Sequence, residues 1–216
     1  MIGEMWRQSD ICALYRFSDG TDSSGNGNTL TNPSYVEFLS GGKFGKHAYF
    51  NTNEVLYRHT YFGLDLTQPY SISFWLSLTS LPGSGQYMMF TALERQDSPN
   101  RIAALIYDYR TGVYRLRFVA SSSANSANYN IVLNTNTWYH VVGAADGTYG
   151  YLYLNGNHVA TGLVGSDSAT QNAISFGSTK SGENLLGRLD EAIVWSRCLT
   201  PQEVRRWYGW SVGKLT

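Results

Sequence analysis

The chain has 216 residues, 43% of them hydrophobic and 15% charged, which suits a single all-β domain with a substantial buried core. Its 16 basic residues balance 16 acidic ones and no basic run stands out, so neither charge nor pattern supports a nucleic-acid partner. No stretch reaches the ~18 consecutive apolar residues of a membrane helix, which excludes membrane insertion by that route.

The first residues, MIGEMWRQSDICALYRF, lack the basic start and apolar run of a secretory leader. With Met1 in place, the expectation is an intact gene product. It is either cytosolic or exported by another route, such as assembly into a virion, and virion or cell exterior is the expected location. Cys12 and Cys198 lie near opposite ends, with no histidines at metal-site spacing. They read either as two separate small buried residues or as a disulfide joining terminal strands that a compact domain brings together.

Further along, YSISFWLSL alternates, with Ile72, Phe74 and Leu76 on one face and Ser73, Trp75 and Ser77 on the other. IAALIYDY and VYRLRFVA follow, separated by the hairpin turn RTG. In the second of these, Tyr114, Leu116 and Phe118 face one way, Arg115 and Arg117 the other. SSSANSANYN reads as a polar loop. TWYHVVGAAD leads through a turn at Asp146-Gly147 into YGYLYLNGNHVATG, whose Asn155-Gly156 is a strong hairpin signal. NAISFGS and GRLDEAIVWSR complete the β region.

One stretch departs from this pattern. In LTPQEVRRWYGW, Thr200 is an N-cap, Pro201 takes the first helical position and Glu203 completes a capping box. Val204, Trp207 and Tyr208 fall at helical spacing, which predicts a short amphipathic helix at about 201–208, ended by Gly209. No repeat or linker intervenes. The expected organisation is one domain over 1–216, with two antiparallel sheets and a single late helix.

These segments, in this order, resemble the laminin G-like branch of the concanavalin A-like lectin/glucanase jelly rolls. ALYRFSDGTDSSGNGNTLT is similar to that family's opening strand and its Gly/Asn-rich turn, here Asp22 to Asn28. GGKFGKHAYFN resembles its Gly-x-Phe-Gly step, with His47 inserted before Ala48, and SISFWL its aromatic core strand. NTWYHVVGAADGTYGYLYLNG resembles its Trp-x-His-Val strand and Asn-Gly hairpin. FGSTKSGENLLGRLDEAIVWSRCLTPQEV is similar to its closing Gly-x-Leu-Asp-Glu strand and helix start. The resemblance covers nearly the whole chain and implies a jelly-roll sandwich. That fold hosts lectins, hydrolases, adhesion modules and virion parts, so function has to be argued from the site.

Asp190 and Glu191 are the first candidates for chemistry. Adjacent strand residues point to opposite faces, so the two are not expected to flank one glycosidic bond across a shared cleft. The Glu-x-Asp-x-x-Glu triplet of the glucanase relatives is absent from the sequence. There is no Gly-x-Ser-x-Gly elbow, and the histidines at 47, 59, 140 and 158 are scattered. His140, matching the family's strand histidine, reads as a packed or hydrogen-bonded residue. No catalytic residue is expected, and the chain is expected not to be an enzyme.

Calcium takes roughly six to eight oxygen ligands, which a Gly/Asn-rich turn can help to supply. The resemblance implies a structural calcium ion held by Asp190 of the closing strand together with the turn carrying Asp22, Asn26 and Asn28. The alternative is that Asp22 and Asn26 cap their own turn through Asx hydrogen bonds, while Asp190 pairs with Arg188 or Arg197.

The 16 tyrosines and 6 tryptophans suit sugar stacking and protein interfaces alike. Tyr149, Tyr151 and Tyr153 share a face opposite Leu152 and Leu154, and Tyr107 and Tyr109 share a face in an earlier strand. These five are candidates for glycan contact or a subunit interface; otherwise they form an aromatic layer under a loop or the helix. Three functions follow: a glycan-recognition module, a structural or decoration component of a virion or other assembly, and a hydrolase, which the missing triplet disfavours. The preferred expectation is a non-enzymatic, lectin-like jelly roll for surface display and adhesion. Its partners would be glycans or an assembly surface, with self-association among the options. The alternative is a soluble, calcium-dependent carbohydrate-binding module.

Overall fold

A computed structural model describes residues 8–60, 63–95, 98–122, 125–163, 172–178 and 183–213. Residues 179–182 of the closing motif, 123–124 of the polar stretch and the first seven residues lie outside these. The β elements are β1 (Ile11–Tyr15), β2 (Glu37–Ser40), β3 (Lys46–Phe50), β4 (Val55–Arg58), β5 (Tyr70–Leu78), β6 (Tyr87–Arg95) and β7 (Ser98–Asp108), followed by β8 (Arg115–Ser122), β9 (Asn125–Asn130), β10 (Tyr139–Ala145), β11 (Tyr149–Leu154), β12 (Asn157–Leu163), β13 (Asn172–Gly177) and β14 (Gly187–Trp195).

An eight-stranded sheet runs β12-β11-β10-β5-β14-β3-β2, with β1 also paired to β14, and a six-stranded sheet runs β4-β13-β6-β7-β8-β9. All pairs are antiparallel, and the two sheets enclose one apolar core, the arrangement of a concanavalin A-like jelly-roll sandwich. Alternation sets the inner faces. Ile72, Phe74 and Leu76 of β5 meet Phe90 of β6 and Leu105 of β7 in that core. Phe74 and Phe90 pack edge to face, with ring centroids 6.1 Å apart.

Local signals explain the turns. Asn155 and Gly156 both have positive φ, 50° and 79°, as a type I′ hairpin between β11 and β12 requires. The polar stretch SSSANSANYN departs from the loop expectation, because its second half is β9, the edge strand paired with β8. Small residues are needed there. A Cβ on Gly162 of β12 would lie 2.4 Å from the Ser126 backbone, so the two sheets touch at that point through backbone.

The helix α1 (Pro201–Ser211) begins with the expected capping box, in which Thr200 accepts the Glu203 N–H and Glu203 accepts the Thr200 N–H. It runs past Gly209 to Ser211, so that glycine lies within the helix. Its Val204 and Trp207 bury against Val142, Tyr153, Ile193 and Trp195 on the outer face of the large sheet. Both faces of β5 are therefore covered, and all nine of its residues are buried.

β14 changes partner midway. Gly187 to Leu189 pair with β3, whereas Ala192 to Trp195 pair with β1. Between them the register with β5 shifts, and Glu191 takes φ 47°, marking a β-bulge. The simple alternation expected for Asp190-Glu191 breaks at this step.

Candidate functional site

A dense polar cluster lies on the outer face of the six-stranded sheet. Register places Asn130, Arg115, Asp108 and Tyr87 in one row across β9, β8, β7 and β6. The next row runs Asn128, Arg117, Ile106 and Met89. Paired residues of antiparallel strands share a face, so these side chains form one surface.

Asp108 anchors it. Its fully buried carboxylate accepts hydrogen bonds from Arg110 Nη2, Arg115 Nη2 and Arg117 Nη1, each at 3.0 Å. Burial alone would raise its pKa, but the three guanidinium bonds outweigh that and hold the carboxyl below the usual range. Arg117 is fixed further by donating Nε to Asn128 Oδ1 at 2.7 Å and Nη2 to Ser126 Oγ at 3.0 Å. The Arg110 guanidinium lies 4.6 Å over the Tyr87 ring, and Tyr87 Oη bonds Glu183. Side-chain exposure rises outward, from 8% at Arg117 through 24% at Arg115 to 37% at Arg110. Asn128 and Asn130 are exposed beside them. The result is a set of preoriented N–H donors and side-chain amides next to an aromatic ring. It can hydrogen-bond and stack against a polar, extended ligand.

The tyrosines expected to make contacts are divided by the fold. Tyr107 is a correction to the surface expectation, since it is fully buried in the core. It alternates with Asp108, so it points inward, and its hydroxyl donates to Ile131 O and accepts from Leu133 N. Tyr109, half-buried, stacks on Tyr114 at 4.2 Å. Tyr153 is buried on the outer face of the large sheet, in the apolar cluster under α1, the aromatic layer beneath the helix that is the alternative to a contact surface. Tyr151 donates its hydroxyl to Asp146 at 2.7 Å, and Tyr149 is 44% exposed. The five do not form one platform.

The turn expected to bind calcium caps itself. Asp22 Oδ1 accepts the N–H groups of Leu14 and Ser24, while Oδ2 accepts Asn28 N–H and Ser24 Oγ–H, all within 3.0 Å. Burial opposes ionisation of Asp22, but these donors outweigh it and depress the pKa. The amides of Asn26 and Asn28 donate to β1 carbonyls. Asp190 engages another loop altogether, accepting Phe44 N–H at 2.9 Å. Both Asp22 carboxylate oxygens are thus engaged by donors of its own turn and of β1, the Asx-capped arrangement.

Among the described residues, the ion pairs of Arg197 and Glu191 do not involve Asp190. Arg197 bonds Asp10 and Glu203, and Glu191 pairs with Arg16 at 3.2 Å. Under the turn after β2, His140, Trp75 and Asp190 form a buried row across β10, β5 and β14. Trp75 Nε1, both His140 nitrogens and Asp190 Oδ1 have no hydrogen-bond partner among the described residues. Burial drives His140 down to about 3, so it stays neutral, as a packed strand histidine should. Cys12 and Cys198 are both free thiols. Among the described residues no helix is long and apolar enough to cross a membrane.

Residues 44–205 match the Laminin_G_3 family of the Concanavalin A-like lectin/glucanases superfamily, and the chain belongs to that family. No curated protein matches the sequence. Among solved structures, domain 4 of AbnA, an extracellular GH43 arabinanase from Geobacillus stearothermophilus, was solved with arabinotriose. It aligns with a TM-score of 0.68 at 22% identity, over 91% of this chain and 97% of that one. The receptor-binding domain of botulinum neurotoxin D aligns with a TM-score of 0.72 at 14% identity, over 95% of this chain and 54% of that one. A Trypanosoma rangeli sialidase aligns at 0.68 and 13% identity, over 94% of this chain but 33% of that one. The chain thus spans about half of the neurotoxin domain and a third of the sialidase. At these identities the likeness is one of fold.

Proposed function

We propose that the protein is a non-enzymatic carbohydrate-recognition module, acting in surface adhesion through the outer face of the six-stranded sheet. The observation that carries this reading is Asp108 holding three guanidiniums in fixed planes beside Tyr87, Asn128 and Asn130. A preorganised polar surface loses little entropy on binding, which suits weakly apolar, hydroxyl-rich ligands. The arabinotriose complex of the arabinanase domain supports a sugar as the class of ligand. The absence of a catalytic role is supported by the carboxylates. Asp108 is saturated by arginines, Asp190 is fully buried and Glu191 is paired with Arg16. A glycan array probed with the labelled protein tests this. Binding to a defined set of glycans, reduced at least about tenfold by the double variant Asn128→Ala/Asn130→Ala, is expected. Turnover of any bound glycan would overturn the non-enzymatic part.

A second reading, a structural or decoration subunit of a virion or other assembly, is favoured by exposed apolar side chains near the edge strand β2. Tyr35 is 86%, Leu39 40% and Phe44 42% exposed there. Native mass spectrometry of the intact protein separates a monomer from a defined oligomer.

A further inference from the structure

The geometry points to an acidic glycan as the ligand of this face, its anionic group seated on Arg110 and Arg115. This inference rests on the carbohydrate reading above and narrows it. Three guanidiniums converge on a single carboxylate, in a chain whose overall charge is zero, so the positive charge is a local concentration. Asp108 cannot serve a ligand as an acceptor. Its Oδ1 takes Arg115 Nε and Nη2, and its Oδ2 takes Arg110 and Arg117. Glu183, at the far end of the row, is engaged by Tyr87 and Ser178.

What remains exposed on Arg110 and Arg115 is N–H, and neither carboxylate of the row offers them or a ligand a free oxygen. On these two guanidiniums a neutral sugar hydroxyl can use only its accepting half. A carboxylate or sulfate only accepts, and a planar guanidinium meets it with two parallel hydrogen bonds. Arg115, at 24% exposure, is partly withdrawn from water, which strengthens its attraction for an anion relative to a fully solvated arginine. The Tyr87 ring under Arg110 keeps that guanidinium flat and oriented.

The test uses the intact protein in calorimetric titrations against polygalacturonate (carboxylated only), dextran sulfate (sulfated only) and arabinan and dextran (neutral), at low and high salt. The expected result is binding of at least one acidic polymer about tenfold or more tighter than the neutral ones, weakening as salt rises. Which acidic polymer binds distinguishes carboxylate from sulfate. Arg110→Gln, the most exposed of the three, should lower that affinity about tenfold while the variant remains folded, Arg115 and Arg117 still pairing Asp108. Lys46→Gln, an exposed charge on the other sheet, should leave it unchanged. Equal binding of neutral polymers without salt dependence would overturn the acidic ligand while sparing carbohydrate recognition. Binding of no polymer would overturn both. Acidic binding indifferent to Arg110→Gln, or lost equally in Lys46→Gln, would remove the anion from this face.

Discussion

The carboxylate of Asp190 and the backbone N–H of Phe44 are joined by a 2.9 Å hydrogen bond that ties the turn between β2 and β3 to the centre of the large sheet. The other carboxylate oxygen is buried and has no hydrogen-bond partner among the described residues. Gly42 is required beside it, because a Cβ there would lie 2.7 Å from Asp190 Oδ2. A glycine at that point lets the turn close over the acid.

This burial, with the charge of neighbouring Glu191 adding to it, pushes Asp190 up from 3.8 to about 6. For an acid raised in the folded state, the stabilising contribution is complete below the unfolded value near 3.8. It is lost as pH rises through about 6. Asp190→Asn keeps the acceptor for Phe44 and cannot ionise. Relative to wild type, the variant should gain stability with rising pH, levelling off above about pH 7 at up to roughly 3 kcal/mol. Urea denaturation at a series of pH values measures this, and a difference independent of pH would contradict it.

The self-capped Asp22 turn predicts indifference to calcium. Melting temperatures in excess calcium and in EDTA should coincide. Asp22→Ala should destabilise the fold by about 2–4 kcal/mol, since three backbone N–H groups lose a charged acceptor. A clear rise in melting temperature on adding calcium, abolished in Asp22→Ala, would restore the cation reading.

Gly162→Ala should cost about 1–3 kcal/mol in chemical denaturation, because its Cβ would meet the Ser126 and Ala127 backbone at 2.4–2.5 Å. Backbone cannot move aside as a flexible side chain does. Gly147→Ala, with open space around its Cβ, reports the cost of positive φ alone and should be milder. Equal losses for the two variants would contradict a close sheet-to-sheet contact.

Much of this architecture was legible from residue pattern. Asn155-Gly156 announces the hairpin because positive φ at two successive positions suits these residues, and Thr200 with Glu203 announces the helix because both satisfy its free N–H groups. The inward set of β5 follows from alternation. β9 was hidden because its composition answers to Gly162 on one side and to the polar face on the other, leaving no apolar alternation to read. The bulge at Glu191 was hidden because it arises where β14 exchanges β3 for β1, a tertiary event. The candidate site was half visible. Alternation set Arg115 and Arg117 on one face, but their convergence on Asp108 and Arg110 depends on the register of the β7–β8 hairpin. Tyr107 misled for the same reason, since one step of alternation from Asp108 turns it inward.

Cys12 and Cys198 are free, and burial raises both thiols to about 11. At neutral pH the thiolate fraction is therefore small, and labelling of the native protein by a thiol reagent should be slow. Two thiols should titrate after denaturation without reductant, and reductant should not change the melting temperature. A titre of zero would instead reveal a disulfide.

A ligand held on the outer face of the six-stranded sheet shields the backbone of that face from solvent. Hydrogen-exchange mass spectrometry of the protein, alone and saturated with the best ligand from the glycan array, tests that placement most directly. Added protection is expected to be confined to the segment from Arg110 to Asn130 and to β6 around Tyr87. Protection centred on Tyr149 to Leu163 or on the turn at Phe44, with none across β8 and β9, would contradict it.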